Sequence, residues 1–318
     1  MKSEILAVSE AGEFIKAHDN FIIISHANPD GDTLGCAFAL CRALQKLGKK
    51  TKTVCADELS KRYDFMKAAV EIQDFEPETY ITVDVADRKL LGDLDKLYGE
   101  KIDLAIDHHV SHVDFAKRLL IEPHAAAAAQ TVYKLILELG GGELFDPQIA
   151  ACLYTGISTD SGCFKYSCAT SETHRIAAEL LEYDFDHSQI DYVFFDLKTK
   201  ARIALEEKLY RDIEYYFDGK CAMVSLTKEQ LDTVDTEDGN GLSAIPRMIE
   251  GVEVGVVFKQ RKNGTWKASL RSNSLVNVQK ICSAFGGGGH EKAAGCSFCQ
   301  DLDEAKRKLA GEIGKVLA

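Results

Sequence analysis

The sequence predicts an α/β fold: an N-terminal domain with a mostly parallel sheet flanked by helices, a connecting helix, and a smaller C-terminal α/β domain. Three observations predict it. Short apolar runs alternate with helical patterns through the first 185 residues, the signature of βαβ units. A charged, helix-patterned stretch without Gly or Pro follows at 196–217, and strand patterns resume beyond it. The length, 318 residues, suffices for two domains. The expected boundaries are 1–190 for the first domain, 191–218 for the connecting helix and 219–318 for the second domain, with the active site in the cleft between the domains.

Strands are expected at 21–25, 51–55, 80–84 and 103–107, each a short apolar run rich in β-branched or aromatic residues. A helix fits between the first two, from Thr33 to Leu47, with apolar residues at helical spacing and Gly48 as its C-cap. Further helices are expected near 127–139, 147–157 and 172–183. In the second domain, strands fit 222–226, 252–259 and 266–271, and helices fit 244–250, 274–284 and 303–316. The run 125–129 is all alanine and reads as the start of a helix. No internal repeat is present.

Composition narrows the function. Hydrophobic content of 46% and charged content of 28% are those of an ordinary globular protein. The net charge of −12 argues against binding long nucleic acid non-specifically. The charge is uneven: residues 1–218 carry a net −14 and residues 219–318 a net +2, which fits metals on one part and phosphate on the other. Met1-Lys2-Ser3-Glu4-Ile5 has no basic segment followed by an apolar core, so no signal peptide is expected. No apolar run approaches the roughly 20 residues of a membrane helix. The expectation is a cytoplasmic protein with no membrane partner; a homodimer is compatible with the sequence. The ten cysteines read as reduced thiols, and Cys296-x-x-Cys299 has no second pair nearby to complete a zinc site.

The chemistry concentrates at strand ends. His26, Asp30 and Asp32 sit in His-Ala-Asn-Pro-Asp-Gly-Asp, directly after the first strand, where Pro29 and Gly31 favour a tight loop. Asp84 ends the third strand, and Asp107-His108-His109 ends the fourth. Asp160 follows a helix pattern in Ser-Thr-Asp-Ser-Gly. An Asp before a helix is ordinarily a cap, and Asp32 before Thr33 fits that role. Taken together, however, carboxylates and imidazoles at the carboxyl ends of parallel strands point to one shared site. Too many carboxylates converge for a structural zinc site, and the mixture suits Mn²⁺ or a similar divalent ion. A dinuclear site would hold two ions roughly 3.5–4 Å apart. In the second domain, four glycines at 286–289 allow close backbone approach to an anion, His290 ends the run, and Arg271 offers a bidentate fork for phosphate.

These motifs resemble the DHH phosphoesterase superfamily. The triplet is Asp107-His108-His109. The first motif is similar to His26-Ala-Asn-Pro-Asp-Gly-Asp32, the second to Thr82-Val-Asp84, and the fourth to Thr159-Asp160-Ser-Gly-Cys-Phe164-Lys-Tyr166. Arg271-Ser272 and Phe285-Gly-Gly-Gly-Gly-His290-Glu-Lys-Ala-Ala-Gly295 resemble the DHH-associated C-terminal domain. The size and the spacing of both halves look most like the bacterial nanoRNase/pAp-phosphatase subgroup. That subgroup cleaves very short oligonucleotides to mononucleotides and removes the 3′-phosphate of 3′-phosphoadenosine 5′-phosphate (pAp).

The resemblance implies two Mn²⁺ ions, with Mg²⁺ or Co²⁺ as substitutes. One would be held by His26, Asp30 and Asp84, the other by Asp32, Asp84, His108 and Asp160, with Asp84 bridging. Asp107 would orient an imidazole, and His109 would face substrate and protonate the leaving oxygen. Arg271, Ser272, Gly287, Gly288, Gly289 and His290 would grip a terminal phosphate or nucleotide. The implied partners are short oligonucleotides or nucleotides, including pApA. One departure bears on substrate choice: relatives carry a small hydroxylated residue near 124–130, where this chain has His124, five alanines and Gln130. The rival readings are a RecJ-like single-strand exonuclease, a cyclic-dinucleotide phosphodiesterase, a family II inorganic pyrophosphatase and a nucleotide sensor with a degenerate site.

Overall fold

A computed structural model describes residues 3–234, 239 and 241–317. The chain divides into two compact units, Met1–Leu197 and Lys198–Ala318. Helices of ten residues or more are numbered here.

The first unit contains β1 (Glu4–Ile5), α1 (Val8–Ala17), β2 (Phe21–Ile24), α2 (Gly31–Lys46), β3 (Thr51–Val54), β4 (Thr79–Val83), β5 (Leu104–Asp107), β6 (Arg118–Ile121), α3 (Ala128–Gly140), α4 (Pro147–Asp160) and α5 (Ser171–Leu180). Its six strands run in the order β1-β6-β5-β4-β2-β3, every neighbouring pair parallel. Parallel strands covered on both faces read as unbroken apolar runs, and Phe21-Ile22-Ile23-Ile24 is such a run, with all four residues buried. Phe21 and Ile23 join the α2–α3–α4 core. Ile22 and Ile24 join a second cluster with Val85, Leu91 and Leu119 on the other face. Full burial of each such side chain contributes about 1.5–3 kcal/mol. From β2 the chain steps outward to β3, then returns to place β4 on the opposite side of β2. The direction of winding therefore reverses between β2 and β4, and ligands bind at the carboxyl ends of such a pair.

Helix α2 begins at Gly31, two residues earlier than expected. Its N-cap is Asp30 rather than Asp32: Asp30 Oδ1 accepts from the Asp32 and Thr33 amides at 3.0 and 3.2 Å. Helix α4 starts with Pro147 in its first turn, capped by Asp146, which also holds Arg42. The strands β1 and β6 and helix α1 went unread in the sequence. Each strand is short, and β6 (Arg-Leu-Leu-Ile) has no alternation to mark it.

The second unit contains α6 (Lys200–Arg211), β7 (Glu214–Tyr216), β8 (Cys221–Leu226), β9 (Val254–Gln260), β10 (Trp266–Ser272), β11 (Gly288–His290), β12 (Ala293–Phe298) and α7 (Leu302–Leu317). Its mixed sheet runs β11-β12-β10-β9-β8-β7, with only β8 and β9 parallel. The helix expected across 196–217 is confined to α6, because the chain turns into strand at Glu214. The helix expected at 244–250 is a 3₁₀ segment, Leu242–Met248, with Pro246 inside it. The one expected at 274–284 shortens to Val278–Ser283, capped by Asn277.

The glycine run is only in part a loop. Gly288, Gly289 and His290 form the edge strand β11, paired antiparallel with Gly295, Ala294 and Ala293. All ten cysteines are free, and Cys296 is packed in the apolar core of this unit. Among the described residues no helix is long and apolar enough to cross a membrane.

Candidate metal centre

Eight side chains of the first unit converge at the carboxyl ends of its strands. His26 follows β2, Asp84 follows β4, and Asp107 closes β5 with His108 and His109 after it. Asp30 and Asp32 lie at the start of α2, and Asp160 ends α4. Ligand atoms gather into three sets: His26, Asp30 and Asp84; Asp32, His108 and Asp160; and Asp84, His108 and His109. His26 Nε2 lies 3.7 Å from Asp30 Oδ1 and 3.8 Å from Asp84 Oδ2. His108 Nε2 lies 3.3 Å from Asp160 Oδ2, 3.6 Å from Asp84 Oδ1 and 3.9 Å from Asp32 Oδ2. Asp84 therefore turns one oxygen toward each histidine.

The tautomers suit ligation. His26 Nδ1 lies 2.9 Å from the Ala27 carbonyl and His108 Nδ1 lies 3.0 Å from the Ala125 carbonyl, so each Nδ1–H donates to backbone and each Nε2 lone pair faces the cluster. Asp84 Oδ1 is buried and accepts no hydrogen bond. A buried carboxylate oxygen without a donor is costly, and a cation at that point removes the cost. Burial pushes the Asp32 and Asp84 carboxyls well above the usual carboxylate range, and the neighbouring aspartates add to both shifts. Asp160 is raised by burial as well, with His108 opposing and Asp30 adding. Three mutually repelling carboxylates around two free imidazole nitrogens fit a divalent cation.

The backbone is bent to serve the site. Asp84 sits at φ +56°, in the left-handed region, directly after β4. Gly162, Cys163 and Phe164, just past Asp160, are all left-handed, which ends α4 abruptly at Asp160. Helices α2 and α4 cross where glycines face them. A Cβ on Gly156 would lie 2.7 Å from Ala129 Cβ and 2.8 Å from Asp32 Oδ1, and one on Gly35 would collide with the Cys152 carbonyl.

The alanine run and His112 are parts of the site that the sequence reading missed. The amides of Ala128 and Ala129, in the first turn of α3, donate to Asp32 Oδ2 and Oδ1 at 2.6 and 2.9 Å. With Ala125 holding His108, this plain segment positions two of the cluster's side chains. Its chemistry is all main-chain, so no side chain announces it. His124 is exposed. His112 Nδ1 lies 2.7 Å from Asp107 Oδ2, and His109 Nδ1 lies 2.8 Å from Asp107 Oδ1. Burial would raise the Asp107 carboxyl, but these two imidazoles outweigh it and hold it well below the usual range. The bond to Asp107 raises the His109 pKa against desolvation.

In the second unit, Arg271, Ala293 and His290 form one row across β10, β12 and β11. The small residues of the middle strand leave a trough of about 250 Å³ lined by Lys267, Ser269, Arg271, Gly288, Gly289 and Gly295 among others. A Cβ on Gly287 would strike Cys296. Ser272, expected on substrate, is 2% exposed, and its hydroxyl donates to the Val276 carbonyl at 2.7 Å, closing a turn.

Residues 20–157 match the DHH family, N-terminal domain, and residues 224–315 match the DHHA1 domain. The bifunctional oligoribonuclease and PAP phosphatase NrnA of Thermus thermophilus is 32% identical, over 96% of this chain and 93% of its own. An exopolyphosphatase-related protein from Bacteroides fragilis has the same fold: TM-score 0.87 at 24% identity, covering 98% of this chain and 96% of that one. RecJ from Thermus thermophilus in complex with Mn²⁺ aligns at TM-score 0.56 and 13% identity, over 97% of this chain and 55% of RecJ.

Proposed function

The chain belongs to the DHH family, and from that membership we propose that it is a phosphoric ester hydrolase that degrades short oligoribonucleotides, including pApA, to mononucleotides and converts pAp to AMP and phosphate. The observation that carries the chemistry is Asp84, a buried carboxylate shared by two ligand sets, whose Oδ1 accepts no hydrogen bond. The relatives named for oligoribonuclease and PAP phosphatase activity support the substrate class.

Two divalent ions fit the donors, one at His26, Asp30 and Asp84, the other at Asp32, Asp84, His108 and Asp160. Mn²⁺ is the favoured ion, since imidazole and carboxylate donors are mixed and RecJ carries Mn²⁺ on this fold; Mg²⁺ or Co²⁺ can substitute. When bound, such ions acidify water to near-neutral pKa and neutralise phosphoryl charge.

The chain's own residues do the rest. Asp32 is held ready by two amides, and His26 and His108 by two carbonyls, so the donor set is preorganised. Asp107 accepts from His109 Nδ1 and raises the His109 pKa, so the protonated ring carries an Nε2–H to give to the leaving 3′ or 5′ oxygen. Arg271, Gly287, Gly288, Gly289 and His290 offer a guanidinium, main-chain amides and an imidazole to a terminal phosphate. The acidic balance of the first 218 residues disfavours long polyanions.

The test is to incubate the purified chain with Mn²⁺ and, separately, pAp, pApA, a five-nucleotide RNA, a long RNA and pyrophosphate. AMP from the first two and mononucleotides from the short RNA, with long RNA spared, are expected. Phosphate from pyrophosphate alone, or metal binding without any turnover, sinks the reading.

A further inference from the structure

We propose that His112 is a positioning residue: acting through Asp107, it keeps the His109 imidazole turned toward substrate and out of the metal-ligand set. The inference rests on the phosphoesterase reading above and deepens it.

Asp107 is fully buried, and its two oxygens are served unequally. Oδ1 accepts from the His108 amide at 2.8 Å, the His109 amide at 3.3 Å and His109 Nδ1 at 2.8 Å. Oδ2 accepts from His112 Nδ1 at 2.7 Å. An imidazole on each oxygen fixes the carboxylate plane, because rotation about Cβ–Cγ breaks both bonds. Without the His112 donor, the buried Oδ2 loses its partner and the carboxylate is held through Oδ1 alone, which loosens its plane.

His112 is itself fixed. Its amide donates to the His109 carbonyl at 3.2 Å, and the next amide, of Val113, donates to the Ala86 carbonyl at 2.8 Å. Its ring centroid lies 5.3 Å from that of Phe115. Its Nε2 is buried with no hydrogen-bond partner, so the proton sits on Nδ1, where an acceptor waits.

His109 has two competing roles open to it. Its Nδ1 lies 3.5 Å from Asp84 Oδ1, and Asp84, His108 and His109 form one of the three sets able to hold a cation. A ring nitrogen that carries a proton cannot ligate. The bond to Asp107 keeps that proton on Nδ1 and leaves Nε2 as the reactive atom on a ring that is 42% exposed. Asp107 thus decides which of two jobs His109 takes, and His112 decides how Asp107 stands.

The experiment compares two esters on the full chain loaded with Mn²⁺. The leaving group of pApA is a ribose hydroxyl, which needs a proton. The p-nitrophenyl ester of thymidine 5′-phosphate expels a phenolate, which does not. In His112→Ala, kcat on pApA is expected to fall about 10- to 100-fold, with KM and the aryl-ester rate within about threefold of wild type. Bound Mn²⁺, measured by atomic absorption, stays unchanged. His112→Asn, which offers an N–H to Oδ2, is expected to recover pApA turnover to within about fivefold. An undiminished pApA rate in His112→Ala, a parallel fall on both esters, or an Asn variant as poor as the Ala variant overturns the proposal. A wild-type chain that cleaves neither ester overturns the phosphoesterase reading and this inference with it. Activity on both esters beside an indifferent His112→Ala overturns this inference alone.

Discussion

The backbone N–H of Ala128 donates to Asp32 Oδ2 at 2.6 Å. A carboxylate expected to hold metal is thereby seated on the first turn of α3, where the helix dipole favours an anion. Proline at Ala128 removes that donor at a first-turn position that tolerates it, and Ala127 already has the extended backbone that must precede proline, at φ −157° and ψ 151°. Ala128→Pro should weaken Mn²⁺ binding about 10-fold while helix content stays at the wild-type level. Calorimetric titration and circular dichroism check both. An affinity equal to that of Ala128→Gly, which keeps the amide, contradicts the role given to this bond.

Asp84 links pH to stability. Its folded-state pKa is raised, so the metal-free folded chain holds the proton longer than the unfolded chain does. The stability tied to this group is full below the ordinary carboxylate pKa and is lost as pH rises through the raised value. Asp84→Asn removes the charge and keeps a residue type that accepts the left-handed backbone. Metal-free wild type should therefore melt progressively below the variant as pH rises above the ordinary carboxylate range, and saturating Mn²⁺ should raise the wild-type Tm far more than the variant's. Activity should vanish in the variant. Parallel Tm–pH curves for the two chains would remove the buried-carboxylate explanation.

Gly156 makes a second point of attack. Overpacking at this crossing costs about 1–3 kcal/mol, against about 1 kcal/mol gained from the better helix propensity of alanine. Gly156→Ala should lower the Tm modestly, and Asp32 should shift enough to weaken Mn²⁺ binding about 10-fold. Thermal unfolding and metal titration read the two effects separately. A variant that loses stability but binds Mn²⁺ as wild type does shows that the crossing does not place the ligand.

In the second unit, Arg271→Gln should raise KM for pAp about 10-fold or more, the scale of one charged hydrogen bond, and leave bound Mn²⁺ unchanged. Ser272→Ala is the matching control. Its hydroxyl closes the 272–276 turn, so stability should fall by about 0.5–1.5 kcal/mol with KM unaffected. The reverse pattern, with KM following Ser272 and not Arg271, rules out the trough as the phosphate grip.

The strands that position the candidate site were legible because each joins a buried apolar run directly to a polar knot: Ile22-Ile23-Ile24 before His26, Ile81-Thr82-Val83 before Asp84, Ala105-Ile106 before Asp107. Strand β12 was hidden in Ala-Ala-Gly-Cys-Ser-Phe, residues that pair well only because their neighbours need small partners. Side-chain donors were legible for the same reason their chemistry is specific. The amides of Ala128 and Ala129 were not, since almost any residue supplies an N–H and only the fold says where it points. His112 was visible in Asp-His-His-Val-Ser-His, yet its meaning depends on a turn that brings it back to Asp107, and no periodicity marks that return.

The crossing of α2 and α4 limits how this centre can be reproduced. Asp32 and Asp160 sit on those two helices, and the glycines at positions 35 and 156 permit an approach that a Cβ at either position would crowd. A designer who transplants only His26, Asp30, Asp32, Asp84, His108 and Asp160 onto another open parallel sheet would copy the donors and lose their spacing. The portable unit is the pair of helices with their bare faces in contact, and the six side chains are its decoration.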